Sequence, residues 1–435
     1  MNNADSNFLV KKERVIILLL LLLALIIRIG IIIKIEEPID KDALEYYSIA
    51  KNVIEKHIFS IDGVSPTSRR SPGYPMFLAL FITLFGSNPT YIYIVQAFVN
   101  ILTIYLIYLS LKILKTKSAV CIIITALFVI DTSFVYVNVL YAEIVTMLII
   151  TILLYISVNR TVSEKKYTQS ILQGTCVGVL ILLRPTFLYL PIFIIVCIII
   201  CHLFKLDIRA KESVIVSIVA ILTILPWSIR NRIVFDQWIP LVNAGGSELW
   251  QANLEIENRT VWYSVTNIEK YEQQRTESAA LQSQLRSEYR QLYNLNTDIE
   301  LNQFLKQKAK EIILAHPFRY TLLCFNRFLI FWFSPPIGSA TLNSVSSLIF
   351  VFFLSLKYWM TILGIFGLWR YARLDFSGAF VVVTIVAYAT VLHSATHAIQ
   401  RYFLPVIPLV YFGLGYFLNS LKIKTSDIYD KNRNI

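Results

Sequence analysis

The sequence predicts an all-α polytopic membrane protein, a bundle of about ten or more transmembrane helices with interfacial helices and an external, mostly helical domain. Of the 435 residues, 56% are hydrophobic and only 16% are charged, whereas soluble domains carry roughly 25% charged residues. Apolar runs of the about 20 residues that a helix needs to cross a bilayer recur along the chain. Basic residues cluster between these runs, so the net charge of +12 reflects membrane topology and not nucleic-acid binding.

The first apolar run follows Lys11, Lys12 and Arg14 in the manner of a secretory signal, but no small-residue cleavage pattern comes after it. We therefore expect a retained membrane anchor. The other spans are assigned by apolar length. The ten expected spans are 15–33, 90–111, 118–134, 138–157, 169–184, 187–204, 213–229, 344–368, 376–394 and 402–420.

The basic segments between the spans indicate which side of the membrane each loop occupies. They lie at 112–117, 160–166, 205–211, 370–373 and 422–424. All of them fall on one side of a ten-span chain, and the positive-inside rule makes that side cytoplasmic, together with both termini. Function is therefore expected on the opposite side of the cell membrane.

This topology predicts four regions along the chain. They are an N-terminal transmembrane catalytic module at 1–229 with an external loop at 34–89, an external region at 230–343, C-terminal transmembrane helices at 344–421 and a cytoplasmic tail at 422–435.

Two apolar runs, 76–85 and 320–333, are too short to span a bilayer, and we expect interfacial or re-entrant helices there. Residues 267–315 are polar but keep apolar side chains at helical spacing, for example Leu301 and Leu305. These residues are predicted to form helices outside the membrane.

The first external loop places an acid at the membrane edge. Asp42 lies one helical turn before Tyr46, on the face that also carries Ile49 and Ala50. A carboxylate in this position is suited to proton abstraction. The same spacing is equally typical of a helix N-cap, with Glu45 completing a capping box.

The same loop ends in Arg69 and Arg70, just before a turn that contains Pro72 and Tyr74. Arginine binds phosphate through two parallel hydrogen bonds. The alternative is that each arginine reaches toward anionic lipid head groups, as arginines near membranes commonly do.

Glu143 lies inside the outer end of its span, where an ionisable group is costly and indicates a functional site. Its structural alternative is a buried pair with an arginine. His393 and His397 are four residues apart, a spacing that fits a shared metal, but no acid lies between them and water-exposed histidines are the favoured interpretation.

Ionisable residues from distant parts of the chain therefore converge on one face of the membrane. Arginines there suit binding of a lipid phosphate, and a carboxylate suits removal of a proton from an acceptor hydroxyl. The converging residues are Asp42, Arg70, Glu143, Arg184, Arg230 and Arg401.

In these residues the chain resembles the GT-C superfamily of polyprenyl-phosphate-sugar glycosyltransferases, in particular its protein mannosyltransferase and aminoarabinose transferase branch. The first-loop acid, the Tyr four residues later and the aliphatic-Ala pair match Asp42, Tyr46 and Ile49-Ala50. Further landmarks are the basic residue before a proline turn, the acid near the end of a later span and the arginines at span ends. They match Arg70, Glu143, Arg184-Pro185, Arg230-Asn231 and Arg401-Tyr402.

The resemblance implies a GT-C-like transmembrane bundle and an inverting sugar transfer with Asp42 as general base. Glu143 would be a second acid near the acceptor or a divalent metal, Mg²⁺ or Mn²⁺, for which Asp42 and Glu143 are the candidate ligands. Ala43 stands where the family commonly has another acid, which weakens the case for a metal. The expected lipid-phosphate ligands are Arg69, Arg70, Arg184, Arg230 and Arg401, and the expected substrate-pocket residues are Tyr46, Tyr74 and His397.

The expected partners are a polyprenyl-phosphate sugar donor, membrane lipids and an acceptor glycan, lipid or protein, with no nucleic acid. Two other functions fit the same composition. A transporter or lipid flippase would carry its ionisable residues near the bilayer midplane. A ligase that moves a whole glycan from a lipid diphosphate would depend more on His397 and Arg401 than on Asp42.

Overall fold

The computed structural model describes residues 3–35, 38–39, 41–159, 166–206, 208–258, 268–333 and 347–421. Within these ranges the chain is helical and forms no strand, which confirms the predicted fold class. The α-helices are α1 (Asn3–Lys34), α2 (Lys41–Lys56), α3 (Gly73–Phe85), α4 (Pro89–Ile113), α5 (Ser118–Val129), α6 (Glu143–Asn159), α7 (Lys166–Leu183), α8 (Leu190–Leu203), α9 (Ala210–Phe235), α10 (Gly245–Asn258), α11 (Ile268–Leu292), α12 (Asp298–Ala315), α13 (Pro317–Phe333), α14 (Ser347–Leu374), α15 (Phe376–Ala395) and α16 (Ile407–Ser420).

Each of the ten expected spans contains one of these helices. Among the described residues, six segments are long and apolar enough to cross a membrane, as a polytopic membrane protein requires. They are Lys11–Lys34, Pro89–Ile113, Pro185–Leu203, Ala210–Phe235, Phe376–Ala395 and Arg401–Ser420.

The helices α5 and α6 are apolar but shorter than their expected spans. The chain between them turns through a 3-10 segment, Thr132–Asn138, which starts where the Asp131 carboxylate accepts a hydrogen bond from the Ser133 amide. This turn ends α5 at Val129 and delays α6 until Glu143. Glu143 therefore stands in the first turn of its helix.

The two short apolar runs are helices, as predicted, and both begin a turn earlier than expected. One side of α13 buries Leu323 and Phe331, while Phe318 and Phe325 are exposed on its other side. Such a two-sided helix suits a membrane interface. The neighbouring α10 and α12 share a hydrophobic core of their own, formed by Trp250, Leu254, Leu301, Leu305, Ala309 and Ile312.

Close helix packing inside the bundle depends on glycines. Gly174 and Gly178 of α7 face α9, and a Cβ on Gly178 would lie 2.4 Å from the Thr223 Cβ. Small residues four apart allow transmembrane helices to approach closely. Gly413 of α16 packs in the same way on Gly364 of α14, where a Cβ would lie 2.1 Å from the Gly364 carbonyl oxygen.

A buried arginine fixes the first helix to its neighbours. Arg28 of α1 is fully buried, and its Nε donates to Asn100 Oδ1 of α4 at 2.8 Å. Its Nη1 donates to the Val129 carbonyl at the end of α5, at 3.0 Å. Arg28 is therefore a packing residue of the bundle.

The predicted division into four regions stays a prediction. The expected cytoplasmic tail, 422–435, and the segment 334–346 lie outside the described residues.

Candidate active site

Asp42 joins two distant segments of the chain through its two carboxylate oxygens. Oδ1 accepts from Arg70 Nη2 at 2.6 Å, and Oδ2 accepts from Arg401 Nη2 at 2.5 Å. Since α2 begins at Lys41, Asp42 already lies within the helix and both its oxygens bond to arginines. In the structure Asp42 therefore binds arginines and does not act as the helix N-cap, the alternative that its spacing also allowed.

Glu45, one turn after Asp42, pairs with both arginines of the loop. Its Oε2 accepts from Arg70 Nε at 2.5 Å, and its Oε1 lies 3.2 Å from Arg69 Nη2. Arg69 is half exposed, while Arg70 is largely buried. The spacing of Glu45 predicts only a capping box, and no local signal in the sequence marks this acid as a member of the site.

The loop that carries Arg69 and Arg70 is fixed from two sides. Arg230 Nη1 donates to the Thr67 carbonyl at 3.2 Å, and the Asn243 amide donates to the Ser68 carbonyl at 2.8 Å. The Arg230 guanidinium is also enclosed by aromatic rings, with Trp227 at 4.8 Å. In this structure Arg230 holds the loop, and none of its described partners is an acid of the site.

Glu143 is 5% exposed at its side chain and pairs with two arginines. Its Oε1 lies 3.3 Å from Arg184 Nη1 and 3.7 Å from Arg401 Nε. The structural alternative for Glu143, a buried pair with an arginine, is therefore present. Because Arg401 contacts Glu143 as well as Asp42, it links the two acids.

Aromatic rings support the same arginines. Arg401 lies over the Tyr141 ring at 4.5 Å, Arg184 lies over the Tyr402 ring at 5.1 Å, and Arg70 lies over the Tyr46 ring at 5.3 Å. Such contacts favour a cation in a partly desolvated site.

Tyr74 lies behind Tyr46, with the two rings edge to face at 5.2 Å. It is fully buried, and its hydroxyl donates to Gln96 Oε1 at 2.8 Å. Tyr74 therefore packs behind Tyr46. Because it is fully buried, it does not line a substrate pocket in this structure, although that had been expected.

The two histidines do not form a metal pair. His393 is 4% exposed, and its Nδ1 lies 3.1 Å from the His397 carbonyl oxygen, so the expectation of a water-exposed His393 is wrong. Burial lowers the pKa of His397 to about 4, with a further lowering by Arg327 and Arg401. His397 is thus a neutral imidazole at neutral pH, close to Arg401.

The charge state of Asp42 is set by its arginines. Burial by itself would raise the pKa of the Asp42 carboxyl, but Arg401 and Arg70 overcome this effect and lower the pKa to about 2. Asp42 is therefore ionised at any physiological pH, and its basicity is suppressed while both arginines are in place.

The described residues fit a bound metal poorly. None of them forms a group of three or more His, Cys, Asp or Glu side chains suited to a metal. The two candidate ligands, Asp42 and Glu143, both contact guanidinium groups, which compete with a cation for their oxygens.

A further acid, Glu248, faces this cluster from α10. It lies within electrostatic range of Arg70, Asp42, Arg286 and Arg401; burial raises its pKa, and the arginines lower it. Nothing in the sequence distinguishes Glu248 from the many acids of the polar external segments. Sequence reasoning also missed Arg327, whose buried guanidinium donates to the Ala252 carbonyl at 2.5 Å.

Residues 69–229 match the family model described as dolichyl-phosphate-mannose-protein mannosyltransferase. The matched segment includes Arg70, Glu143 and Arg184, whereas Asp42 and Arg401 lie outside it. No curated protein sequence matches the chain.

Solved structures of an oligosaccharyltransferase from Archaeoglobus fulgidus resemble the chain. The apo form is 12% identical with a TM-score of 0.50, over 96% of this chain and 51% of that one. The archaeal oligosaccharyltransferase AglB from Archaeoglobus fulgidus, with an inhibitory peptide and a dolichol-phosphate, is 12% identical with a TM-score of 0.49, over 95% of this chain and 50% of that one. The complex with Zn and sulfate is 12% identical with a TM-score of 0.47, over 95% and 49%.

The chain therefore spans about half the length of these structures. The likeness to the apo form shows a shared fold. Together with the family match over residues 69–229, it confirms the resemblance to the GT-C superfamily.

Proposed function

We propose that this protein is an inverting glycosyltransferase that moves a sugar from a polyprenyl-phosphate donor to an acceptor glycan, lipid or protein outside the cytoplasm. The observation that carries the proposal is Asp42 held between Arg70 and Arg401. It supports the proposal because a carboxylate can accept a proton and arginines can bind a phosphate, which are the two functions that such a transfer needs.

The arginines would bind the donor phosphate. Arg70 and Arg401 each use one Nη2 group on Asp42, and a phosphate brings oxygens that compete for the same donors. As the guanidinium groups turn to the phosphate, Asp42 loses the charges that lower its pKa and becomes a better base. Arg184 and Arg69 supply further positive charge at the edges of the site.

The chemical step follows from these positions. The acceptor hydroxyl oxygen attacks the anomeric carbon of the sugar while Asp42 takes the hydroxyl proton. The bond from that carbon to the phosphate oxygen breaks, and its electron pair goes to the phosphate, which the arginines stabilise. Because the attack comes from the side opposite the leaving phosphate, the anomeric configuration is inverted.

The family match supports the identity of the donor, and the distribution of basic residues supports the location of the site. The description of the matching family includes a dolichyl-phosphate mannose, a sugar on a polyprenyl phosphate, which makes a hexose donor the first to test. The basic segments of the chain, read with the positive-inside rule, support a site on the side opposite the cytoplasm.

The test is radiolabelled sugar transfer in membranes that contain either the wild type or Asp42→Asn. A panel of hexoses and pentoses on polyprenyl phosphate, with one glycan on a lipid diphosphate, would be assayed with and without a chelator. We expect transfer from a monophosphate donor, and loss of that transfer in the variant. Transfer from the diphosphate alone would favour the ligase, and substrate crossing vesicles without any transfer would favour a transporter.

A further inference from the structure

Glu248 is an acid of the site whose carboxylate has no hydrogen bond or ion pair within the part of the chain that the structure describes. It lies in the first turn of α10. The side chain is open to solvent, yet it is enclosed by protein strongly enough for burial to be the main influence on its pKa. A ligand can therefore reach the Glu248 carboxylate, although protein atoms surround it.

The position of Glu248 is fixed by the backbone around it. Asn243, just before α10, is bonded to the Ser68 carbonyl next to Arg69. The Ser247 amide donates to Asn302 Oδ1 of α12 at 2.9 Å. Gly246 packs so closely on α12 that a Cβ there would lie 2.1 Å from the Asn302 carbonyl oxygen. Glu248 is thereby held beside the loop that carries Arg69 and Arg70.

The other acids of the site are already engaged. Asp42, Glu45 and Glu143 each contact at least one arginine at 3.3 Å or less. Glu248 feels Arg70, Arg286 and Arg401 electrostatically. Arg70 and Arg401 bond to the other carboxylates, and no ion pair joins Arg286 to Glu248 among the described residues. Its oxygens are consequently the ones that a ligand can reach without displacing an arginine.

A purely structural role explains Glu248 less well. An acid in the first turn of a helix is favoured by the helix dipole. The helix dipole would stabilise the Glu248 carboxylate equally well if the side chain pointed into bulk water. There the carboxylate would avoid both the cost of burial and the repulsion by Asp42. The enclosed position beside other carboxylates therefore points to a function.

We infer that Glu248 binds the acceptor, and that the acceptor is a neutral, hydroxyl-bearing group held by hydrogen bonds to this carboxylate. The inference rests on the proposed function. Glu248 approaches the site from the external helices, whereas the phosphate ligands Arg70 and Arg401 lie at the bundle end with Asp42. An acceptor held by Glu248 would thus meet the donor sugar above the phosphate. An acceptor with a negative charge would be repelled.

The experiment separates donor binding from transfer. Radiolabelled dolichyl-phosphate mannose is titrated onto purified protein in nanodiscs, and transfer from it is measured in native membranes that supply the natural acceptors. The variants are Glu248→Gln, Glu248→Asp and, as a matched control, Glu288→Gln. Glu288 is an exposed acid of α11 with a hydrogen bond from Gln284 at 2.8 Å, outside the site.

We expect Glu248→Gln to bind the donor within twofold of wild type and to lose transfer by about tenfold or more, the factor for a hydrogen bond to a charged group. Glu248→Asp should recover part of the transfer, and Glu288→Gln should match wild type. Unchanged transfer in Glu248→Gln overturns the inference and leaves the proposed function standing. Weaker donor binding in that variant also overturns it, since Glu248 would then act on the donor. A wild type that neither binds nor transfers any polyprenyl-phosphate sugar of the panel overturns the proposed function itself.

Discussion

Replacing Asp42 by Asn removes the proton acceptor while leaving the size of the side chain almost unchanged. General base catalysis contributes about 10²- to 10⁴-fold to rate, and we expect turnover to fall by about that factor. The two arginines lose a competing anion at 2.6 and 2.5 Å. Donor binding should therefore be unchanged or tighter, which separates loss of the base from loss of the phosphate site.

The variant should still fold, because the arginines keep other partners. Arg70 retains Glu45 at 2.5 Å, and Arg401 retains Glu143 at 3.7 Å. Glu45→Gln is the matched control, since it removes the same charge from Arg70 without removing the proposed base. We expect this control to lose less than about tenfold in turnover, in line with a partly exposed ion pair.

The assay is single-turnover transfer of radiolabelled sugar by purified protein, with donor affinity measured in parallel. Retention of turnover within tenfold of wild type in Asp42→Asn would refute the assignment of the base. An equal loss in Glu45→Gln would refute it as well, because the effect would then come from the charge balance around Arg70.

Three other predictions concern pH and packing. Arg401→Gln should raise the pKa of Asp42 from about 2 toward its ordinary 3.8. The loss of kcat/KM on acidification should therefore begin at a higher pH in the variant. A series of kcat/KM values against pH, each scaled to the maximum of its own protein, measures this shift. His397→Gln should leave the shape of the kcat/KM–pH profile between about pH 5 and 8 unchanged, because a histidine with a pKa of about 4 is neutral over that range. A change in how kcat/KM depends on pH within that range would contradict this prediction. Gly178→Ala should destabilise the protein by about 1–3 kcal/mol through overpacking against α9, whereas Gly30→Ala, with open space at its Cβ, should leave the thermal midpoint nearly unchanged.

The sequence predicted the fold class well because membrane helices leave a strong signal. Long apolar runs and the distribution of basic residues are local properties, and each expected span contains a helix. The boundaries around 130–143 were less accurate. There the end of the helix depends on a hydrogen bond from the Ser133 amide to the Asp131 carboxylate, which a hydrophobicity pattern cannot predict.

Only part of the candidate site could be predicted from the sequence. The arginines and acids at span ends could be named because ionisable groups are rare near membranes. Whether Asp42 caps a helix or binds arginine is settled by Arg401, which is 359 positions away in sequence. Glu248 was missed because an acid in a polar segment carries no local signal; its place depends on the packing of α10 against α12.

The pairing of Asp42 with two arginines also bears on the order of substrate binding. While Arg70 and Arg401 hold the carboxylate, the pKa of Asp42 is about 2, and it is a poor acceptor for a hydroxyl proton. A donor phosphate that draws the arginines away raises that basicity, so an acceptor that arrives first meets an inactive base. The proposed mechanism therefore implies that the donor activates the site for the acceptor. Glu248, which makes no such pair among the described residues, can hold an acceptor hydroxyl without disturbing this exchange.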